Sequence, residues 1–183
     1  GKSTVIAELL SERPDIYFSI SFTTRQPRVG EADGVNYNFV SRETFEGMIA
    51  IDEFLEYAKY VDNYYGTSLK VIRDKLDAGI DVLLDIEVQG AAKVREKCPD
   101  AVLIFIMPPS FEELSRRLHG RNTDEEEVIS GRLRTAREEC KQIPNYAFLV
   151  VNDTVSAAAG QIISILVAEG CRTKYHADMM EGV

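Results

Sequence analysis

Several features that would point to a function by themselves are missing from this sequence. No apolar run approaches the roughly 20 residues that a membrane-spanning helix needs. Positive charge is in short supply: 21 Lys plus Arg against 30 Asp plus Glu leave a net charge of −9 at pH 7. That balance argues against bulk binding of nucleic acid or of an anionic membrane surface. It leaves open a small phosphorylated substrate, which needs only a few well-placed cations. Cysteine is sparse. Cys98, Cys140 and Cys171 are odd in number and widely spaced, which speaks against a disulfide framework or a zinc site and for free thiols in a reducing compartment. Histidine is rarer still: His119 and His176 stand apart, so no histidine-based mechanism is expected. No secretory signal is expected, and the sequence shows no internal repeat or low-complexity tract.

What is present is an ordinary globular chain of 183 residues, 45% hydrophobic and 28% charged. It suits one domain, or one domain with a small insert. Gly1-Lys2-Ser3-Thr4 matches the last third of a phosphate-binding loop, G-x-x-x-x-G-K-[ST], which normally follows a buried strand. The expectation is that this strand and the first part of the loop belong ahead of Gly1 and are missing from this chain. Residues 4–13 carry Val5, Ile6, Leu9 and Leu10 at helical spacing, and Pro14 stops them. Residues 16–20 are β-rich, 23–36 form a Pro/Gly loop or hairpin, and 37–40 are extended. Ser41 is placed to cap a helix to about residue 49. Residues 53–60 are aromatic and mixed in character, and are assigned to no element. A helix over 68–78 turns Leu69, Ile72 and Leu76 inward and closes at Gly79.

Beyond residue 80 the pattern changes. Residues 82–86, 101–107 and 147–151 are continuous apolar runs. They read as strands buried on both faces of a parallel sheet. Helices fall between them, over 89–97, over 110–118 with a Ser110/Glu113 capping box, over 123–142 with a Thr123/Glu126 box, and over 154–169. Strands alternating with helices give an α/β architecture. Residues 21–80 interrupt that rhythm and read as an insertion. The tail after residue 170 is expected to fray.

Several ordered blocks carry a family resemblance. Phe18-Ser19-Ile20-Ser21-Phe22-Thr23-Thr24-Arg25-Gln26-Pro27-Arg28-Val29-Gly30-Glu31 is the first, and Asp33-Gly34-Val35-Asn36-Tyr37-Asn38-Phe39-Val40-Ser41 continues it. Asn63-Tyr64-Tyr65-Gly66-Thr67-Ser68 and Leu84-Asp85-Ile86-Glu87-Val88-Gln89-Gly90 follow. Arg117-Leu118-His119-Gly120-Arg121 and Val151-Asn152-Asp153 extend the match. Over nearly its whole length, the tail excepted, the chain resembles guanylate kinases. The resemblance implies an α/β P-loop kinase: a parallel sheet core flanked by helices, with an inserted mixed α/β subdomain for guanosine monophosphate (GMP) and a helical arginine lid. The implied core is 1–20 with 81–183, the GMP subdomain 21–80, and the lid 112–142.

Residue chemistry is consistent with those roles. Arg25 and Arg28, three apart on a Pro/Gly loop, make a cationic fork of the geometry that grips phosphate in two places. The resemblance assigns both to the GMP phosphate, with the Tyr37 and Tyr65 hydroxyls, and counts Glu31 among the GMP residues. Guanine presents two donors, N1–H and an exocyclic amine, which one carboxylate accepts together and adenine does not match. Glu56 and Glu87 stand at the corresponding positions, and Ser21 and Thr67 supply hydroxyls. Many relatives have Asp where this chain has Glu87. On the ATP side the resemblance implies Gly1, Lys2, Ser3 and Thr4, with Lys2 along the β- and γ-phosphates. Arg121 and Asn152 are carried over to adenine. Mg²⁺ is implied, with Ser3 as ligand and Asp85 reaching it through water.

Six of the thirteen arginines fall between 116 and 137. A solvated helix pair accounts for Arg116 and Arg134. Arg117, Arg121, Arg132 and Arg137 match family arginines that close over phosphates, and Lys2, Arg25, Arg117, Arg121 and Arg132 form the implied catalytic set. Asn122 stands where relatives often have Gly. The expected reaction is phosphoryl transfer from ATP to GMP in the cytoplasm, with no nucleic-acid, membrane or obligate protein partner. Two alternatives remain at the level of sequence: a guanylate-kinase-like module that binds phosphorylated partners without chemistry, and a related kinase with another acceptor.

Overall fold

A computed structural model of the chain describes residues 1–60, 62–120 and 126–176, the Tyr60 side chain excepted. The described chain divides into two compact units, one built from Gly1–Glu12 with Ile104–Val183 and the other from Arg13–Leu103.

In the first unit, helix α1 (Lys2–Glu12) buries Val5, Ile6 and Leu9 against α7 (Val155–Gly170). That helix contributes Ala158, Ala159 and Ile162 to the interior, and Thr154 caps it by accepting from the Ala157 amide at 3.3 Å. Strands β7 (Ile104–Met107) and β8 (Phe148–Val151) pair in parallel. Between them in sequence lie α5 (Phe111–His119) and α6 (Glu126–Cys140). The Ser110 cap forms, its hydroxyl accepting from the Glu113 amide at 3.1 Å. Only half of the expected box exists, because the Glu113 carboxylate is taken by Arg116 and Arg117 instead. Thr123 of the second expected box lies outside the described residues.

In the second unit, β1 (Tyr17–Phe18) pairs in parallel with β6 (Val82–Leu83). A four-stranded sheet follows the order β3-β2-β5-β4. It contains β2 (Phe22–Thr23), β3 (Asn38–Phe39), β4 (Phe54–Tyr60) and β5 (Asn63–Ser68). Pairing is parallel between β2 and β3, and antiparallel from β2 to β5 and from β5 to β4. The parallel pairs β1–β6 and β7–β8, together with the mixed sheet and the helices, match the α/β class expected. Helix α2 (Arg42–Ala50), capped by Ser41, lays Phe45 on the sheet, with its ring stacked 4.4 Å from Phe54 and 5.2 Å from Tyr64. Leu55, Ile72 of α3 (Leu69–Asp77) and Val94 of α4 (Val88–Lys97) form a second cluster, with Leu84 and Ile86 packed against it.

Three expectations change. The apolar runs yield shorter strands, and β6 and β7 are half-buried while Leu149 and Val151 of β8 are exposed. Among the described residues each of these strands is paired along one edge only, and the residues after Leu83 leave the ladder to fill the Leu55 cluster. Leu76 is 53% exposed, since the core contacted by α3 is met by Leu69 and Ile72. The start of the tail, residues 171–176, holds a 3-10 turn (Thr173–Tyr175) with Arg172 paired to Glu169 at 2.6 Å, and the rest of the tail lies outside the described residues. No helix among the described residues is long and apolar enough to cross a membrane.

Gly66 on β5 shows how tightly the aromatic layer sits. A Cβ there would lie 2.9 Å from ring atoms of both Phe45 and Phe54. Neither ring has room to retreat, as both are fully buried. Gly66→Ala is therefore expected to destabilise the fold by about 1–3 kcal/mol through overpacking, read as a lower denaturant midpoint at unchanged m-value.

Candidate active site

The residues singled out by sequence fall into three local arrangements. The first is the loop between β2 and β3. Thr23 is buried and ties the loop base down, donating to the Tyr64 carbonyl at 2.9 Å and accepting from the Arg25 amide at 3.2 Å. The Arg25 guanidinium then grips Glu31 in two places, at 2.9 Å each. The same carboxylate accepts from the Arg28 amide at 2.7 Å. Chiefly through the bond from Arg25, the Glu31 acid is held below its ordinary range. Arg25 also sits over the rings of Tyr37 (5.3 Å) and Phe39 (5.7 Å). The Tyr37 and Tyr65 rings meet edge to face at 5.9 Å. Burial pushes the Tyr37 hydroxyl up, and the Arg25 guanidinium is raised first by Glu31 and then, against burial, by Tyr65.

The structure thus brings Arg25, Glu31, Tyr37 and Tyr65 together. Arg28 is only half drawn in: its amide is engaged and its side chain is exposed. Glu31 acts here as the clamp that shapes the cationic loop, through a charge-assisted bidentate pair. Ser21 is half-buried, and its carbonyl accepts from the Asn38 amide.

The second arrangement is a buried carboxylate. Glu56 on β4 is 6% exposed and stands opposite Thr67 on β5. The Thr67 hydroxyl donates to Glu56 Oε1 at 2.7 Å. The pairing register shifts between Phe54 and Glu56, and Phe54, Leu55 and Glu56 are all buried, Phe54 against Phe45 and Leu55 against Ile72 and Val94. Burial raises the Glu56 acid, opposed by Thr67 and by the Lys93 charge. Lys93 on α4 donates to the Tyr57 carbonyl and lies 4.6 Å over the Tyr57 ring. Glu87 precedes α4 as its N-cap residue, exposed and without a side-chain capping bond. Asp85, half-buried, is near enough to Tyr37 to contribute to the rise of its hydroxyl.

The third arrangement belongs to the first unit. Helix α1 begins at Lys2, with Ser3 and Thr4 in its exposed first turn. First-turn amides have no intrahelical acceptor and carry the positive end of the helix dipole, which suits phosphate. Gly1 lies so close to Asn152 that a Cβ on it would meet the side-chain nitrogen at 2.8 Å. Asn152 is 4% exposed, and its Oδ1 is buried with no partner. Its amide donates to the Met107 carbonyl at 2.7 Å. Arg117 donates to the Asn152 carbonyl at 3.0 Å, to Asp153 at 3.2 Å, and to Glu113 at 2.6 Å. Arg116 and Arg117 together hold the Glu113 acid down to about 2. Arg132 is exposed on α6, and Arg137 stacks 5.5 Å from the Phe111 ring. Arg121 and Asn122 lie outside the described residues.

Among the described residues no cluster of three or more His, Cys, Asp or Glu is placed to hold a metal ion by itself. Mg²⁺ in kinases keeps several waters and takes one or two protein oxygens along with the substrate phosphates. The Ser3 hydroxyl and the Asp85 carboxylate are each a hard oxygen donor of that kind.

Residues 1–169 match the family model described as guanylate kinase. The chain belongs to the guanylate kinase family. It is 50% identical over 181 residues to a guanylate kinase of Halalkalibacterium halodurans, covering 96% of this chain and 89% of the relative. A guanylate kinase of Desulfitobacterium hafniense is 47% identical over 183 residues, covering 100% and 92%. The crystal structure of guanylate kinase from Anaplasma phagocytophilum superposes with a TM-score of 0.79 at 38% identity, covering 93% of this chain and 83% of that one. The fold is accordingly that of a P-loop kinase, and the chain is an enzyme of the guanylate kinase class. Two residues near Glu56 had no sequence-based role: Lys93, whose charge acts on that carboxylate and whose helical position gave no signal, and Gly90, which lies at the end of the 84–90 block.

Proposed function

We propose that this enzyme transfers the terminal phosphoryl group of ATP to GMP, giving ADP and GDP. The observation that carries the reading is the buried Glu56 carboxylate, held by Thr67 in the same unit as the Arg25, Tyr37 and Tyr65 cluster. A carboxylate accepts both donors of the guanine edge. Serving them in a buried site discriminates strongly, because a base that leaves the carboxylate unpaired incurs its desolvation cost.

In this reading Arg25 and the two tyrosines hold the GMP phosphate, Arg28 joins them from the loop surface, and Glu31 keeps Arg25 in position. Ser21 and Glu87 complete the base contacts. Gly1, Lys2, Ser3 and Thr4 hold the ATP phosphates, while Asn152 and Arg121 contact adenine. Arg117, Arg121 and Arg132 neutralise charge on the transferring group. Ser3 and, through water, Asp85 would hold Mg²⁺, which would supply further charge neutralisation to the ATP phosphates. No strong base is required, because the attacking GMP phosphate is already an anion. Positioning and fixed charge do the rest. The segment 21–80 serves as the GMP subdomain and 112–142 as the arginine lid, and the enzyme works in the cytoplasm.

A coupled assay with GMP, AMP, dTMP and UMP as acceptors tests this directly. GMP is expected to be preferred by several orders of magnitude. Turnover of another acceptor in preference points to a related kinase, and no turnover of any points to a binding module.

A further inference from the structure

Gly90 lies in the first turn of α4, a position where alanine is the better helix former. The reason for glycine there is visible on strand β4, which faces the helix. A Cβ at residue 90 would sit 2.8 Å from Glu56 Oε2 and 3.2 Å from its Cδ, whereas the next neighbour, Ile86 Cβ, is at an ordinary 3.4 Å. The Glu56 carboxylate is thus the one group in conflict with a side chain at this place. Its other oxygen is fixed by Thr67 at 2.7 Å, and the side chain is buried, so the carboxylate cannot yield without leaving that bond. The approach also sets the anion against the positive end of α4, where it is favoured.

We propose that Gly90 is a positioning residue for guanine recognition: its lack of a side chain lets α4 close on the Glu56 carboxylate and fix it in the orientation that receives the base. This rests on the reading of Glu56 as the guanine acceptor. Because what must move is the end of one side chain and not backbone, a methyl group at residue 90 disturbs recognition and leaves the fold intact. The loss should therefore fall on GMP and spare ATP, which a merely structural glycine would not produce.

The test is a kinetic cycle on Gly90→Ala, Glu56→Asp and the double variant, with melting temperatures measured alongside. Gly90→Ala is expected to raise the KM for GMP by about tenfold or more, to leave the KM for ATP within about twofold, and to keep a single cooperative melt, the helix gain partly offsetting the lost buried bond. The shorter Asp makes room for the methyl group, so the double variant is expected to lose less than the product of the two single losses. An unchanged GMP KM in Gly90→Ala overturns the proposal. So does a joint rise of both KM values with a lower melting temperature, or a double variant that loses the full product. Turnover of GMP by the parent protein checks the underlying reading separately. A crystal structure of Gly90→Ala decides without any turnover: the Thr67–Glu56 bond is expected to be broken, and its retention contradicts the proposal.

Discussion

Lys2→Ala is expected to lower kcat by about 10³-fold while changing the KM for GMP little. The side chain stands at the start of α1, where unsatisfied amides and the helix dipole already favour phosphate. What an ammonium adds is charge on the group in flight, and removing one fixed donor of that kind costs about 10²- to 10³-fold in kcat. A P-loop lysine is at the upper end, because phosphoryl transfer relies on charge neutralisation in place of acid–base chemistry. The fold should not suffer, since α1 is anchored by Val5, Ile6 and Leu9 on another face. Steady-state kinetics with both substrates varied measures the effect. A normal kcat, or an equal loss in GMP affinity, would remove Lys2 from the catalytic role.

Glu56→Gln is expected to reduce kcat/KM for GMP by about 100-fold. The amide keeps an acceptor for the Thr67 hydroxyl and the same shape. It turns an N–H₂ toward the guanine donors, so two charge-assisted bonds, each worth about 1.5 kcal/mol or more, are lost. Stability should go the other way. Burial raises the Glu56 acid, so the folded state binds that proton more tightly than the unfolded chain does. The associated stability is complete below the unfolded value and is lost as pH rises through the folded one. Glutamine has no such dependence. Thermal melts at pH 7 should therefore show the variant at least as stable as the parent, with the relative gain shrinking toward pH 4. A variant that melts lower at pH 7 and binds GMP normally would contradict both halves.

Local signals in the chain were strong where one residue decides one bond. Ser41 and Ser110 cap the helices that they were expected to cap, and the apolar spacing of α1 is the face that it buries. Burial of the strands was less legible, because an apolar run records what a residue tolerates and not how many neighbours the strand finds. Residues 53–60 escaped assignment for a specific reason. Phe54, Leu55 and Glu56 are three consecutive buried side chains beside a register irregularity, which erases the alternation by which a strand is recognised. That same irregularity places Glu56.

The loop arginines show a second limit. Spacing suggested that Arg25 and Arg28 act alike, but the Glu31 carboxylate selects Arg25 as the oriented guanidinium and leaves the Arg28 side chain exposed. Nothing in a three-residue spacing encodes which of two arginines a third residue will hold. Gly90 illustrates a third limit, since what matters about it is the distance to a side chain 34 positions earlier.

The central claim is that this protein moves a phosphoryl group from ATP to GMP. Phosphorus NMR of the enzyme with ATP, GMP and Mg²⁺ follows every phosphate at once. The expected result is the decline of the GMP and ATP γ-phosphate signals together, with ADP and GDP appearing in equal amounts and no inorganic phosphate. An unchanged GMP signal, whether ATP is left intact or is hydrolysed to ADP and free phosphate, would contradict the account.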